Sequence, residues 1–190
     1  MNTQTINLES MSAIAAAKRL LGCELERNLN GQTVRVRIVE TEAYDQTDAA
    51  SHSYHGKTAR TEIMFGPAGR LYVYFTYGMH YCCNIVVGEV GYGAAVLIRA
   101  VEPITGEDTL QTFRAHDGIN LTNGPAKLCQ ALNIDKSLNG HDLAVEPLKL
   151  IERPALANES IATAARIGIS KAKEKPWRFY IQGNPYVSRS

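Results

Sequence analysis

The chain has 190 residues, 45% of them hydrophobic and 21% charged, and its net charge is +1. That length and balance suit one globular domain with a sizeable core; they exclude a disordered or fibrous chain and a globally basic nucleic-acid binder. Four cysteines, Cys23, Cys82, Cys83 and Cys129, form no CxxC, so neither a zinc site nor a disulfide framework is signalled. With no signal peptide and no apolar run of membrane length, the expectation is a cytoplasmic protein with no membrane partner.

In chain order, residues 10–21 predict a helix, capped by Ser10 or Ser12, rich in alanine and ended by Gly22. Residues 23–27 predict a short strand, and Asn28-Leu-Asn-Gly31 a turn into residues 34–44, VRVRIVETEAY. This stretch alternates with period two, which places Val34, Val36, Ile38, Glu40, Glu42 and Tyr44 in one row. Burying an unpaired carboxylate costs on the order of several kcal/mol. A row that turns from apolar to acidic is therefore expected to leave the core and enter a pocket.

Residues 45–69 are polar and aperiodic, a length at which a loop is generally functional, and they carry Ala50, His52, His55, Arg60 and Met64. Residues 71–76 predict a strand with Leu71, Val73 and Phe75 on one face and Tyr72, Tyr74 and Thr76 on the other. Tyr77-Gly-Met79-His80 reads as a hairpin tip, residues 81–87 as the returning strand, and residues 94–101 as an apolar strand closed by Glu102-Pro103. Helices are predicted at 106–114, from Asn123-Gly-Pro125 to Leu132, and at 159–166; extended segments are predicted at 141–152 and 178–182. The fold class that follows is α+β: a single compact domain over residues 1–190, an antiparallel sheet with surrounding helices.

Five tyrosines, Tyr44, Tyr72, Tyr74, Tyr77 and Tyr81, gather near the two glutamates in sequence. Tyr77 at a hairpin tip is poorly explained as core and better explained as a wedge pushed into a base stack. His52 and His55 have HxxH spacing but no adjacent glutamate of the HExxH kind, so no metal is assigned. No lysine stands near Glu42, which argues against Schiff-base chemistry. From Arg166 onward six basic residues face the single acid Glu174, a stretch of the kind that tracks phosphates. Arg60, Lys127, Lys171, Lys173, Lys175 and Arg178 are the expected DNA-backbone contacts.

Six segments then occur in order: VETEAY at 39–44, SHS at 51–53, LYVYFTYGMHYCCN at 71–84, VLIRAVEP at 96–103, NGPAKLCQAL at 123–132 and RFYIQGNPYVS at 178–188. Together they resemble the alkyladenine (3-methyladenine) DNA glycosylase family, represented by the mammalian alkyl-purine enzyme, over residues 20–188. The resemblance implies a curved antiparallel sheet and a base-excision-repair enzyme without a cofactor, acting as a monomer on double-stranded DNA that contains damaged purines. Such an enzyme flips purines of the 3-methyladenine, 7-methylguanine and hypoxanthine type out of the duplex. It hydrolyses the N-glycosidic bond with no lyase step.

By the same resemblance Glu42 is the general base and Arg99 positions the water and the glutamate. Tyr44, Tyr74 and His52 wall the flipped base, and the main chain at Ala50 and His52 meets its edge. Asn84 crowds an amino group at purine C2, Tyr77 fills the gap in the duplex, and Met79 lies beside it in the minor groove. His80 departs from the family pattern, since mammalian members carry another aromatic there. A hydrolase of free nucleosides and a non-catalytic damaged-DNA binder are the competing readings.

Overall fold

Helix α1 (Ala13–Leu20) starts at Ser12, whose hydroxyl accepts the Ala15 N–H at 3.2 Å, and it buries Ala13, Ala16, Ala17 and Leu20 along one face. The computed structural model describes residues 6–76, 78–153 and 158–188; Tyr77 and Arg189 lie outside the described residues. After α1 come β1 (Glu24–Leu29), β2 (Gln32–Asp45), β3 (Leu71–Thr76), β4 (His80–Val86) and β5 (Ala94–Thr105). Helices α2 (Glu107–Phe113) and α3 (Pro125–Ala131) follow, then β6 (Leu148–Ile151), β7 (Ile161–Ala164) and β8 (Arg178–Ile181).

All the strand pairs are antiparallel, in the order β3-β4-β5-β2-β1-β6, with β7 and β8 joined on through β2. The fold is α+β, as the elements predict, and the sheet curls as a half-barrel, as the resemblance implies. Strand β2 is its centre: β5 runs along one edge, while β1 pairs its first half and β8 its second along the other. Helix α1 packs on β2 and β5, α3 on β4 and β5, and α2 on α3 and β2. The 45–69 segment contributes Met64, which with Tyr72, Val86 and Ala95 makes a second, smaller cluster.

The register of β2 holds the feature that positions the site. Ile38 lies opposite Val101, Glu40 opposite Ala100 and Thr41 opposite Ile98. Val39 on β2 and Arg99 on β5 are thus the extra residues of two adjacent bulges. Before the bulge Val34, Val36 and Ile38 enter the core; after it Ala43 does, and the Thr41 hydroxyl donates to the Ala17 carbonyl of α1 at 2.8 Å. Glu40, Glu42 and Tyr44 therefore do not share the face of Val34, Val36 and Ile38, as strict alternation implied. One inserted residue shifts every later side chain to the other face.

Three further expectations are corrected. Strand β5 does not stop at Glu102-Pro103 but runs to Thr105, with Pro103 opposite Val36 beside another bulge, where a residue without an N–H is tolerated. Residues 159–166 hold the strand β7, not a helix. Pairing with β8 overrides the helix preference of the alanines, and Ile161 and Thr163 are β-branched. Within 141–152 only β6 is extended among the described residues, because the Asp142 carboxylate accepts the Ala144 N–H at 3.0 Å and turns the chain.

Candidate active site

Glu42 has no exposed surface, and three segments satisfy its carboxylate. Tyr44, two residues on and therefore on the same face, donates its hydroxyl to Oε2 at 2.8 Å. The Ile167 N–H donates to Oε1 at 2.8 Å, and Arg99 reaches Oε1 at 3.3 Å. All three partners line a cavity of about 570 Å³, a size ordinary for a small-molecule site. Glu42 itself lies just beneath the floor of that cavity rather than projecting into it.

The walls are aromatic. Tyr72 and Tyr74 share a face of β3, with ring centroids 5.7 Å apart, and His52 meets Tyr74 edge-on at 4.6 Å. His52 is exposed as a residue, but its Nδ1 lies 3.0 Å from the Tyr72 hydroxyl. Burial of the ring, with the Arg60 charge adding, pushes its pKa down to about 4, so it is neutral at pH 7. Burial pushes the Tyr44 and Tyr74 hydroxyls far above the usual phenol value, with Glu42 adding at Tyr44 and Cys82 at Tyr74. Both remain protonated donors. Cys82, also on the wall, is pushed up to about 11 by burial and the neighbouring Cys83, so its thiol is inert.

Asn84 sits 5% exposed on the cavity wall, its Nδ2 donating to the Tyr72 carbonyl at 3.2 Å. Ala50 also lines the cavity, and its N–H is turned to Asp48 at 3.3 Å. Met79 is 68% exposed at the hairpin tip, where no core receives it.

Glu40 is as buried as Glu42 and is more heavily bonded. Arg178 donates to its Oε1 at 3.1 Å, the Ser188 hydroxyl to the same atom at 2.9 Å, and the Ser188 N–H to Oε2 at 2.7 Å. Arg99 Nε lies 3.4 Å from Oε1, so one guanidinium spans both carboxylates. Arg178 is thereby corrected as a DNA-backbone contact: register places it opposite Glu42, 9% exposed, committed to an interior acid.

The other expected cations scatter. Arg60 and Lys171 line the cavity, the former with its Cζ 6.0 Å from the Tyr74 ring. Lys173 is exposed. Lys175 lies over the Trp177 ring at 4.3 Å and 3.7 Å from Asp48. Lys127 is bonded to Asn123 at 2.6 Å and, with Arg99 and Ser188, borders a second cavity of about 360 Å³. Among the described residues no three histidine, cysteine or acidic side chains gather as metal ligands, and no helix is long and apolar enough to cross a membrane.

Sequence reasoning missed Asp48, Arg166, Ile167 and Ser188. No local pattern marks them, but charge balance could have found Arg166, since a buried acid such as Asp48 demands a buried cation.

Residues 7–185 match the methylpurine-DNA glycosylase family. The chain is 51% identical over 178 residues to a protein of Carboxydothermus hydrogenoformans, covering 93% of each chain. It is 48% identical over 180 residues to one of Methanoculleus marisnigri, again covering 93% of each. To one of Francisella tularensis subsp. tularensis it is 48% identical over 190 residues, covering 96% of this chain and 98% of the relative. All three carry the name "Putative 3-methyladenine DNA glycosylase". A match over nearly the whole length, on the segments that build the cavity, places this chain in the methylpurine-DNA glycosylase family.

Proposed function

We propose that this chain extrudes a damaged purine from duplex DNA, stacks it against Tyr44, Tyr74 and His52, and hydrolyses its glycosidic bond with a water activated by Glu42. The observation that carries this reading is the Tyr44–Glu42 hydrogen bond. It ties a stacking ring to a carboxylate, so a base held by the ring is held within one side chain of the base catalyst.

The energetics are consistent with that route. Extrusion costs roughly a few kcal/mol, and aromatic stacking returns about 1–3 kcal/mol per base. Tyr77 fills the vacated stack, and Met79, exposed at the hairpin tip, lies beside it in the minor groove. Alkylated purines of the 3-methyladenine kind are cationic and leave without acid catalysis, and electron-rich tyrosine faces attract them. One carboxylate then suffices, as a general base toward water and as a counter-charge to the developing oxocarbenium.

A carboxylate oxygen has two lone pairs, and Tyr44 takes one on Oε2, leaving the other for the water. Arg99 holds Glu42 in place while Glu40 holds Arg99. Asn84 guards the C2 edge, and Arg60, Lys127, Lys171 and Lys173 meet backbone phosphates. No lysine bonds Glu42 among the described residues, so water rather than an amine is the nucleophile and no lyase step follows.

The test offers the protein single-lesion duplexes containing hypoxanthine or 7-methylguanine, and free inosine in parallel. Free base and an abasic site from duplex alone, with no borohydride-trapped adduct, are expected. Cleavage of inosine without duplex excision makes the chain a nucleoside hydrolase. Lesion binding without turnover makes it a damage sensor.

A further inference from the structure

We infer that Arg166 is a positioning residue: paired with Asp48 inside the protein, it holds both the Tyr44 wall and the Ile167 amide on Glu42. The inference rests on Glu42 being the excising group.

Arg166 and Asp48 are fully buried side chains 118 residues apart in the chain, joined through both terminal guanidinium nitrogens, Nη1 and Nη2. The same guanidinium donates to the Ala43 carbonyl at 2.9 Å and the Ala172 carbonyl at 3.4 Å. Its Cζ lies 4.6 Å from the Tyr44 ring centroid and 5.2 Å from that of Trp177. Asp48 in turn accepts the Ala50 N–H, in the loop that carries His52. One ion pair therefore joins three segments that line the cavity: the end of β2, the 48–52 loop and the 166–172 strap.

Two consequences follow for the chemistry. Arg166 covers one face of Tyr44, which leaves the other face to a base. Ile167 is its chain neighbour, so fixing Arg166 fixes the N–H on Glu42 Oε1. Both neutral hydrogen bonds to the carboxylate thus depend on Arg166. Asp48, which Lys175 also approaches at 3.7 Å, offsets the Arg166 charge behind a stacked cationic purine. A lysine cannot reproduce the arrangement, because it lacks the planar fork that serves Asp48 and two carbonyls at once. Stability alone does not explain the pair, since apolar replacement of a buried ion pair is often neutral or stabilising.

The test uses the double variant Arg166→Met/Asp48→Leu, which leaves no unpaired buried charge, and Arg166→Lys. Four quantities are read: single-turnover excision of hypoxanthine from duplex, affinity for undamaged duplex, thermal unfolding, and emission of Trp177, the one tryptophan of the chain. The double variant is expected to fold and to keep its affinity for undamaged duplex, yet to excise about 100-fold more slowly, the scale of an ångström-level misplacement. Arg166→Lys should recover part of that loss.

A folded double variant within about threefold of wild type overturns the inference. So does a loss of excision matched by equal losses of duplex affinity and unfolding temperature, which marks a merely structural pair. If the double variant does not fold, Arg166→Lys decides: slower excision with undamaged affinity intact supports the role, and unchanged excision overturns it. Glu42→Gln run alongside separates the two failures. An active Glu42→Gln enzyme removes the reading of the site, whereas an inactive one beside a fully active double variant removes only the role of Arg166.

Discussion

Val34, Val36 and Ile38 have no exposed surface, and neither do Glu40 and Glu42 a few residues later on the same strand, yet the two sets face opposite sides of the sheet. The core-facing row of the first half of β2 needs only packing: its side chains are apolar and the helical layer receives them. The second half needs partners. Glu40 and Glu42 draw Arg99, Arg178, Ser188, Tyr44 and Ile167 from four separate stretches of chain. Burial is thus no guide by itself to which half is structural. What distinguishes them is that the acidic half is buried on condition that every carboxylate oxygen has a partner, and the partners of Glu42 also line the cavity.

Replacing Arg99 breaks the second half most severely, because two buried acids lose their shared cation. Arg99→Met should cost about 3–5 kcal/mol of stability, the scale of a broken buried pair. Single-turnover excision should fall at least about 100-fold, as for loss of a transition-state donor. Chemical denaturation and a gel assay read the two effects. Ile38→Ala makes the opposite cut: about 2–5 kcal/mol of stability for the cavity it leaves in the core, with excision per folded molecule unchanged. If Ile38→Ala slows excision at temperatures where it is fully folded, the two halves are coupled and the contrast between them fails.

Much of this contrast could be read in the sequence, but unevenly. Strand β3 falls at residues 71–76 as its alternation predicts, and the Glu42–Tyr44 pair follows from their two-residue spacing. Both are local signals. The bulge at Val39 carries no glycine or proline to announce it, so the change of face was invisible. Arg166 and Arg178 read in sequence as part of a basic stretch that tracks phosphates, whereas both are interior counter-charges to acids over 100 residues away. Local pattern carries no information about such pairs. Alanines at 162, 164 and 165 read as helix because the edge strand β7 is set by its pairing with β8 rather than by propensity.

A finer probe of the site face is Asn84, which register places opposite both Tyr72 and Leu97. Asn84→Ala should raise the ratio of guanine to hypoxanthine excision, since an amino group at C2 no longer meets the amide. Hypoxanthine excision should fall less than about a hundredfold, because the stacking rings and Glu42 are untouched. An unchanged ratio removes Asn84 from the selectivity filter.

The smallest expected effect belongs to His52. Its folded pKa is lowered from 6.5 to about 4, so its neutral ring favours the fold fully above pH 6.5. As pH falls toward 4, the unfolded chain takes up a proton that the folded one refuses, and that stability is lost. Wild type should therefore lose more thermal stability than His52→Gln over this window. The residue is exposed, so the difference is small. Parallel melting curves would show a ring that stays fully hydrated.

Glu42→Gln is the most direct test of the acidic half of β2 as the excising half. The substitution keeps the side chain's shape but removes the charge to which water activation is assigned in the proposal. Affinity for a hypoxanthine duplex and single-turnover excision of that base should be measured on the same preparation. Binding retained within a few-fold, with excision reduced by at least about 1,000-fold, is the expected result, on the scale of a lost general base. Excision within about tenfold of wild type contradicts the assignment and leaves Glu40 as the next carboxylate to test.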